Sequence, residues 1–426
     1  MKTYRERVID GLLRRKLAGT GAVLVEGAKW CGKTTTAEQV ARSVIYMADP
    51  KRREANVQTA KLLPERILAG DSPRLIDEWQ IAPFLWDAIR HEVDHAEGLG
   101  RFILTGSSVP PDDGEMRHSG TGRFAWLRMR PMSLWESGES SGGVSLRSLF
   151  AETGFETVAA NGMELAAIAF AACRGGWPQA VSLKGDVALD QAFNYVDAIA
   201  KKDLSRADGV ERDEDRIRRF LRSYARLQGT QASASVVRED LRTNEMASFD
   251  NDTIYSYHKA LKRLFVVEDM PSWEPNLRSK ASLRTTDTRY FADPSIAAAA
   301  MEIGPEDLLD DLPTFGFLFE TMAVRDLRIY MDADGGTVRH YRDKQGLECD
   351  AVLHRRSGDY ALVEIKLGGD RLVAEGLATL NRLSSLIESK KAKKPAFRMI
   401  VTAVGDIAYR RDEDGIFVCP LSALKP

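Results

Sequence analysis

The sequence is short of cysteine, of net charge and of long apolar runs. Its four cysteines, Cys31, Cys173, Cys349 and Cys419, are scattered over 426 residues with no close pair. That excludes a zinc knuckle and a disulfide framework, and it fits a reducing cytoplasm. No apolar stretch approaches the roughly 20 residues needed to cross a bilayer. The opening segment MKTYRERVIDGLLRRKL is charged throughout and lacks the apolar core of a secretory signal, so a cytoplasmic protein without a membrane partner is expected. Lys and Arg number 60 against 62 Asp and Glu, a formal charge of −2. Such a balance rules out a surface that coats nucleic acid along its whole length, but it leaves room for a local basic patch. The remainder is an ordinary globular mixture, and at roughly 100–200 residues per domain it is long enough for two to four domains.

The strongest positive signal is GAVLVEGAKWCGKTTTAEQVAR. A short apolar strand over 22–25 runs into Gly27, Ala28, Lys29, Trp30, Cys31, Gly32, Lys33 and Thr34, and then into a helical stretch. This is G-x-x-x-x-G-K-[ST] between a strand and a helix, the context that a phosphate-binding loop requires. Glycines let backbone N–H groups wrap phosphates, and the helix start adds its positive dipole end. Lys33 is expected to reach the β- and γ-phosphates of ATP and Thr34 to ligate Mg²⁺. Thr35, in the same turn, is counted with the nucleotide-binding residues. Downstream, Pro73-Arg-Leu-Ile-Asp77-Glu78 is an apolar run ending in two carboxylates. Asp77 would bind Mg²⁺ through water, and Glu78 would polarise the attacking water, as in ATP hydrolases rather than kinases. A third buried-type strand ends at Thr105-Gly106-Ser107-Ser108, where Thr105 or Ser107 is placed to hydrogen-bond the attacking water or the γ-phosphate. Arg123, with Arg117 as the lesser alternative, is the candidate arginine finger, because a planar guanidinium neutralises charge developing on the γ-phosphate oxygens.

The strand and P-loop, the Leu75-Ile76-Asp77-Glu78 strand, the Ile103-Leu104-Thr105-Gly106 strand and the Arg130-Pro131-Met132-Ser133-Leu134-Trp135-Glu136 segment together resemble a prokaryotic family of AAA-type, STAND-related P-loop ATPases. Members of that family carry a C-terminal domain of unknown function, the DUF4143 group. The resemblance spans essentially the whole chain and implies ATP and Mg²⁺ as cofactors. Within it, Arg174-Gly175-Gly176-Trp177-Pro178 is similar to the Gly-x-Pro element that carries nucleotide state from core to lid in STAND ATPases. By residue type alone it is a helix-breaking turn.

Residues 137–145 are rich in Gly and Ser and read as a loop leading to a helical lid. Between 216 and 290 the chain holds 14 Lys and Arg against 9 Asp and Glu, a local excess of +5. Three helical patterns followed by strand-like pieces suggest a winged helix. Its third helix, 252–264, would enter a DNA major groove with Tyr257, His258, Lys259, Lys262 or Arg263 facing out. Winged helices also dock proteins, so a protein partner stays open beside DNA. The last part reads as a helix over 315–329 containing Glu320, strands over 337–341, 348–354 and 360–367, a helix over 371–389, and strands over 396–402 and 415–419. This αβββαβ order resembles the PD-(D/E)XK nuclease core. Strand alternation puts Glu364 and Lys366 on one face. The resemblance implies that Asp350 and Glu364 hold Mg²⁺, that Glu320 completes the site, and that Lys366 orients or activates the water.

The expected fold is therefore α/β: an AAA-like P-loop NTPase core with a parallel sheet over 1–136, a helical lid over 137–210, a winged-helix domain over 211–300 and a PD-(D/E)XK nuclease-like domain over 301–426. The expected function is ATP binding and hydrolysis, acting on DNA through the last two parts. The alternative is a nucleotide-controlled STAND-like switch or scaffold that binds a protein partner without nuclease activity. A finger that works between copies would make the protein a homo-oligomer.

Overall fold

A computed structural model describes residues 4–95, 97–108, 120–274, 286–389 and 393–426. The chain divides into two compact units. The first comprises Met1–Pro131 with Lys202–Arg212 and Lys259–Val266, and the second comprises Met132–Lys201, Asp213–His258 and Val267–Pro426. The α/β class expected from the sequence is the one found.

The first unit is built on five strands: β1 (Ala22–Glu26), β2 (Ser43–Tyr46), β3 (Arg74–Asp77), β4 (Phe102–Gly106) and β5 (Phe124–Arg128). They lie in the order β2-β3-β4-β1-β5 and every pairing is parallel. β3 and β4 are buried along their whole length, as expected for parallel strands covered on both faces. Their apolar runs explain this: Leu75, Ile76, Phe102, Ile103 and Leu104 leave no polar face to expose. Trp79, Trp86 and Phe124 join the core beneath them, with Trp86 stacked on Phe124 at 3.8 Å between ring centroids. The register aligns Glu26 with Gly106 and Asp77 with Thr105, so the P-loop, the acidic pair and the Thr105 strand end all open at the C-terminal edge of one sheet. In open α/β sheets this edge is where ligands bind.

The second unit is built on a seven-stranded mixed sheet of order β7-β12-β13-β11-β10-β9-β8. β6 (Val144–Ser145) and β7 (Thr157–Ala159) come early in the chain. β8 (Thr337–Arg342), β9 (Glu348–His354) and β10 (Tyr360–Lys366) form an antiparallel meander. β11 (Arg398–Thr402) joins β10 in parallel, and β13 (Phe417–Pro420) joins β11 in parallel. β12 (Ile407–Arg410) is antiparallel to both β13 and β7, and β14 (Leu424–Lys425) pairs separately with β6. The helices Leu312–Ala333 and Asp370–Ser389 flank the sheet, the second sending Leu380, Leu383 and Ile387 into a core with Val352, Leu362 and Ile400. The αβββαβ order read from the sequence is present.

Two expectations about organisation are corrected. The lid placed at 137–210 does not exist as one piece, because its first part belongs to the second sheet. Sheet edges offer unpaired N–H and C=O groups, and β7 takes the edge at β12, while the serine-rich stretch before it forms a separate two-stranded pair, β6 with β14, with the Ser140 hydroxyl donating to Leu424 O at 2.7 Å. Residues 202–212 instead cluster with the first unit, and the expected boundary at 300/301 falls inside the second unit. The second correction concerns the outward residues of the third helix. Helices Glu214–Arg226, Ala234–Asn244 and Asn251–Arg263 are followed by antiparallel bridges Val267 to Phe291 and Met270 to Thr288. Lys259 and Lys262 are exposed and Arg263 is half-buried, but Tyr257 is buried against Phe220 and Phe249. His258 faces inward as well, with Nε2 2.9 Å from an Asp269 oxygen. Period-3.6 positions carrying an aromatic ring are claimed by the core before they are offered to a ligand. Part of the connecting ribbon, 275–285, lies outside the described residues.

Candidate active site

The P-loop leaves β1 at a point where only glycine fits. A Cβ on Gly27 would lie 2.0 Å from Met129 O. Gly32, at φ 105°, takes the left-handed turn that starts the helix Lys33–Glu38. Cys31 is fully buried and its carbonyl accepts from Arg7 Nη1 at 2.9 Å, while Arg7 Nη2 donates to Arg130 O at 2.8 Å. Arg7 thus ties the loop to the chain beyond β5. Trp30 stands at the tip of the loop with φ 64° and is 57% exposed, and Thr35 is exposed in the first helical turn. The Lys33 ammonium donates to Gly27 O at 2.9 Å and Ala28 O at 2.8 Å, so the lysine curls into the loop that it is meant to serve.

The acidic pair occupies the next strand ends. Asp77 Oδ1 accepts from the Thr34 hydroxyl at 2.6 Å and from the Thr105 hydroxyl at 2.7 Å. Glu78 sits one residue on with φ 55° and ψ 47°, a left-handed conformation uncommon outside glycine. Its Oε2 accepts from the Ser107 hydroxyl at 3.0 Å and from Gln80 Nε2. Thr105 and Ser107 therefore divide the two carboxylates between them. A hydroxyl beside a carboxylate is a hard-oxygen donor set that suits Mg²⁺, and Thr34 with Asp77 supplies it next to the lysine.

Arg123 stands elsewhere in its own chain. Parallel pairing of Ala22 with Phe124 puts Arg123 just before β5, at the end of the sheet away from Gly27, where its Nε donates to Asp94 Oδ1 at 2.7 Å. That hydrogen bond holds the Asp94 carboxyl below the usual range. Arg123 does not join its own chain's nucleotide site. Arg117 lies outside the described residues. The basic residue at the correct end of β5 is Arg128, which pairs with Glu26 at 3.2 Å. Residues such as Arg7, Gln80 and Asp203, whose carboxylate meets Lys29 Nζ at 2.6 Å, carried no motif. The sole clue to Gln80 was its distance of two residues from Glu78.

A second cluster forms in the other unit. The Lys366 ammonium lies 3.0 Å from Asp350 Oδ2 and 2.8 Å from Glu364 Oε2, and Ile365 N donates to Asp350 Oδ2 at 2.7 Å. Glu320 joins from the long helix, where the Tyr290 hydroxyl donates to its Oε1. Burial, then the negative charge of Asp350, pushes the Glu320 and Glu364 carboxyls up to about 8. Glu364 is 3% exposed and its Oε1 has no hydrogen-bond partner. Burial opposes the charge on Lys366, but Asp350 and Glu364 outweigh it and hold the ammonium above its ordinary value. The four expected residues are brought together, yet among the described residues no group of three or more His, Cys, Asp or Glu is arranged to hold a metal ion. The Lys366 ammonium stands between Asp350 and Glu364, two of the three carboxylates expected to hold Mg²⁺.

Comparison with known proteins divides the chain into three successive segments. A family described as AAA domain matches residues 20–137, one described as a domain of unknown function (DUF8612) matches 166–307, and one described as a domain of unknown function (DUF4143) matches 315–424. No curated protein matches the chain. Similar solved structures include a Walker-type ATPase of Pyrococcus abyssi, 13% identical, covering 70% of this chain and 96% of that one with a TM-score of 0.41. Another is a STAND signal-transduction ATPase with a tetratricopeptide-repeat sensor from Pyrococcus horikoshii, 11% identical, covering 78% of this chain and 48% of that one with a TM-score of 0.23. Among the described residues no helix is long and apolar enough to cross a membrane. The chain carries a P-loop AAA domain over residues 20–137 and a domain of the DUF4143 family over residues 315–424.

Proposed function

We propose that the protein is an ATP-controlled switch that hydrolyses Mg²⁺-ATP slowly and presents its second unit to a protein partner. The observation that carries the catalytic half is the convergence of Thr34 and Thr105 on Asp77, with Glu78 held beside them by Ser107. Thr34 and Asp77 would hold Mg²⁺, which, when bound, draws off charge from the β- and γ-phosphate oxygens. The chain's own residues do the rest. Lys33 moves from the Gly27 and Ala28 carbonyls onto phosphate oxygens, and the loop N–H groups take the remaining charge. Glu78 leaves Ser107 and accepts a proton from the attacking water.

Support for a switch rather than a DNA motor comes from the basic segment. Arg226 is paired with Asp240 and Glu245, Arg222 with Glu245 and Glu302, and Arg218 with Glu214 and Asp197. Guanidinium groups already spent on carboxylates neutralise few phosphates. The test is ATP turnover with and without linear, branched and single-stranded DNA. Little stimulation and ATP-dependent capture of a partner are expected, whereas strong stimulation by any DNA sinks this reading.

One observation favours a second reading, DNA cleavage or grip by the C-terminal domain: Asp350, Glu364 and Lys366 converge, and Glu364 Oε1 is buried without a partner. For that reading a divalent cation must displace the Lys366 ammonium from between the carboxylates. Plasmid nicking in Mg²⁺ or Mn²⁺ that is lost in Lys366→Ala supports cleavage, and a wild type that neither nicks nor retards the plasmid removes the reading.

A further inference from the structure

Within the P-loop the backbone is fixed while one side chain has a choice. Gly27 is jammed against Met129 and Cys31 is clamped by Arg7, so the loop's path does not depend on what Lys29 touches. Lys29 Nζ contacts Asp203 Oδ1 at 2.6 Å, with the lysine side chain 42% exposed and the aspartate 10%. The ammonium is thus at the rim of a loop built for polyphosphate and engaged to a single carboxylate.

Asp203 lies where the chain is irregular. The helix Asp186–Ala198 passes into a π-helical turn, Ile199–Asp203, before Leu204–Arg206 resumes the α form. Such wide turns are rare and gather at functional sites, because the turn can relax by shifting its hydrogen bonds. Beyond it, Arg212 closes the segment on itself: its two terminal nitrogens each reach Asp208 at 2.7 Å, and Nη1 donates to Leu204 O at 3.2 Å. Residues 202–212 are therefore a small self-closed strap, joined to the loop through the Lys29–Asp203 pair. Both ends of the strap continue along the chain into residues of the second unit.

A nucleoside triphosphate on the loop changes this balance. It brings several negative charges to the loop, where Asp203 offers one, and it repels the Asp203 carboxylate by like charge. We propose that Lys29 is a second phosphate-binding lysine, on the γ-phosphate side, and that Asp203 is the partner it leaves when ATP binds. The strap is then released at the π-turn, and ADP, which has no γ-phosphate, lets the pair re-form. This deepens the ATP-switch reading and rests on it.

The experiment uses the full chain and calorimetric titration with ADP and a non-hydrolysable ATP analogue. Lys29→Met is expected to weaken the analogue by about tenfold or more, the size of one charge-assisted contact, and ADP much less. Asp203→Asn is expected to tighten the analogue, and this gain should vanish in the double variant. Lys29→Arg should retain binding, which guards against misfolding as the cause of any loss. Tryptic cleavage after Lys202 and Arg206 should speed up with the analogue in the wild type and be fast without it in Asp203→Asn. Unchanged analogue affinity in Lys29→Met, or weaker or unchanged affinity in Asp203→Asn, overturns the proposal while leaving the ATP site intact. A wild type that binds no nucleotide overturns both.

Discussion

Glu78 is held in a backbone conformation that a non-glycine residue adopts at a cost of about 1–3 kcal/mol. The surrounding contacts, from Gln80 and Ser107, keep it there. Such a residue is worth its strain where position matters more than stability. Glu78→Gln should therefore bind ATP as the wild type does while turnover falls by about 10²–10⁴, the range of a lost general base. Lys33→Ala should lose binding itself, and parallel titration and turnover measurements separate the two. In the second cluster the sign of the pH effect is fixed by the raised carboxyls. Glu320 and Glu364 bind protons more tightly folded than unfolded, so their contribution is fully present below about 4.5 and is lost as pH rises toward about 8. Chemical denaturation across that window should show stability of the second unit falling with pH. Glu364→Gln, which stays neutral, should flatten the slope.

At the scale of elements, the Gly175-Gly176-Trp177-Pro178 turn is fixed by neighbours far away in sequence. Gly176 N donates to Asp293 Oδ2 at 3.0 Å, Met132 N donates to Gly176 O at 2.6 Å, and Trp177 Nε1 donates to Ser295 Oγ at 2.9 Å. Arg325 joins Asp293 to Asp326, each at 2.7 Å, and Asp326 in turn accepts from Leu134 N. All three charged groups are almost wholly buried. Arg325→Met would strand two buried carboxylates, and a loss of about 3–5 kcal/mol is expected in urea unfolding. A loss under about 1 kcal/mol would show that the network relaxes. None of these partners was legible beforehand, because the turn announces only that a helix breaks. What was legible was local: the loop 27–34, the strand ends at Asp77 and Thr105, and the strand bounds around Asp350 and Glu364 follow from residue type and period. The places of Arg123, Tyr257 and His258 were not legible because register and core packing, which decide where they point, are written in other segments.

For the whole molecule, the second sheet is completed by segments that the sequence had assigned to a lid. A variant lacking 421–426 removes β14 and the carbonyls that take up Ser140, Ser141 and Ser145. Hydrogen exchange should then lose protection over 140–161 and keep it over 22–106. Spread of the loss into 22–106 would mean that the first unit does not stand alone. The pairing of β6 with β14 also sets a timetable. Val144 meets Leu424, 280 positions further along, and at ribosomal speeds of about 5–20 residues per second that interval lasts roughly 14–56 s. Throughout it the nascent serine-rich stretch has no strand to pair with, so newborn copies on one messenger are exposed to each other's edges. Chaperone dependence during synthesis, rather than fragility once made, is the outcome expected of a strand pair whose members lie so far apart in the chain.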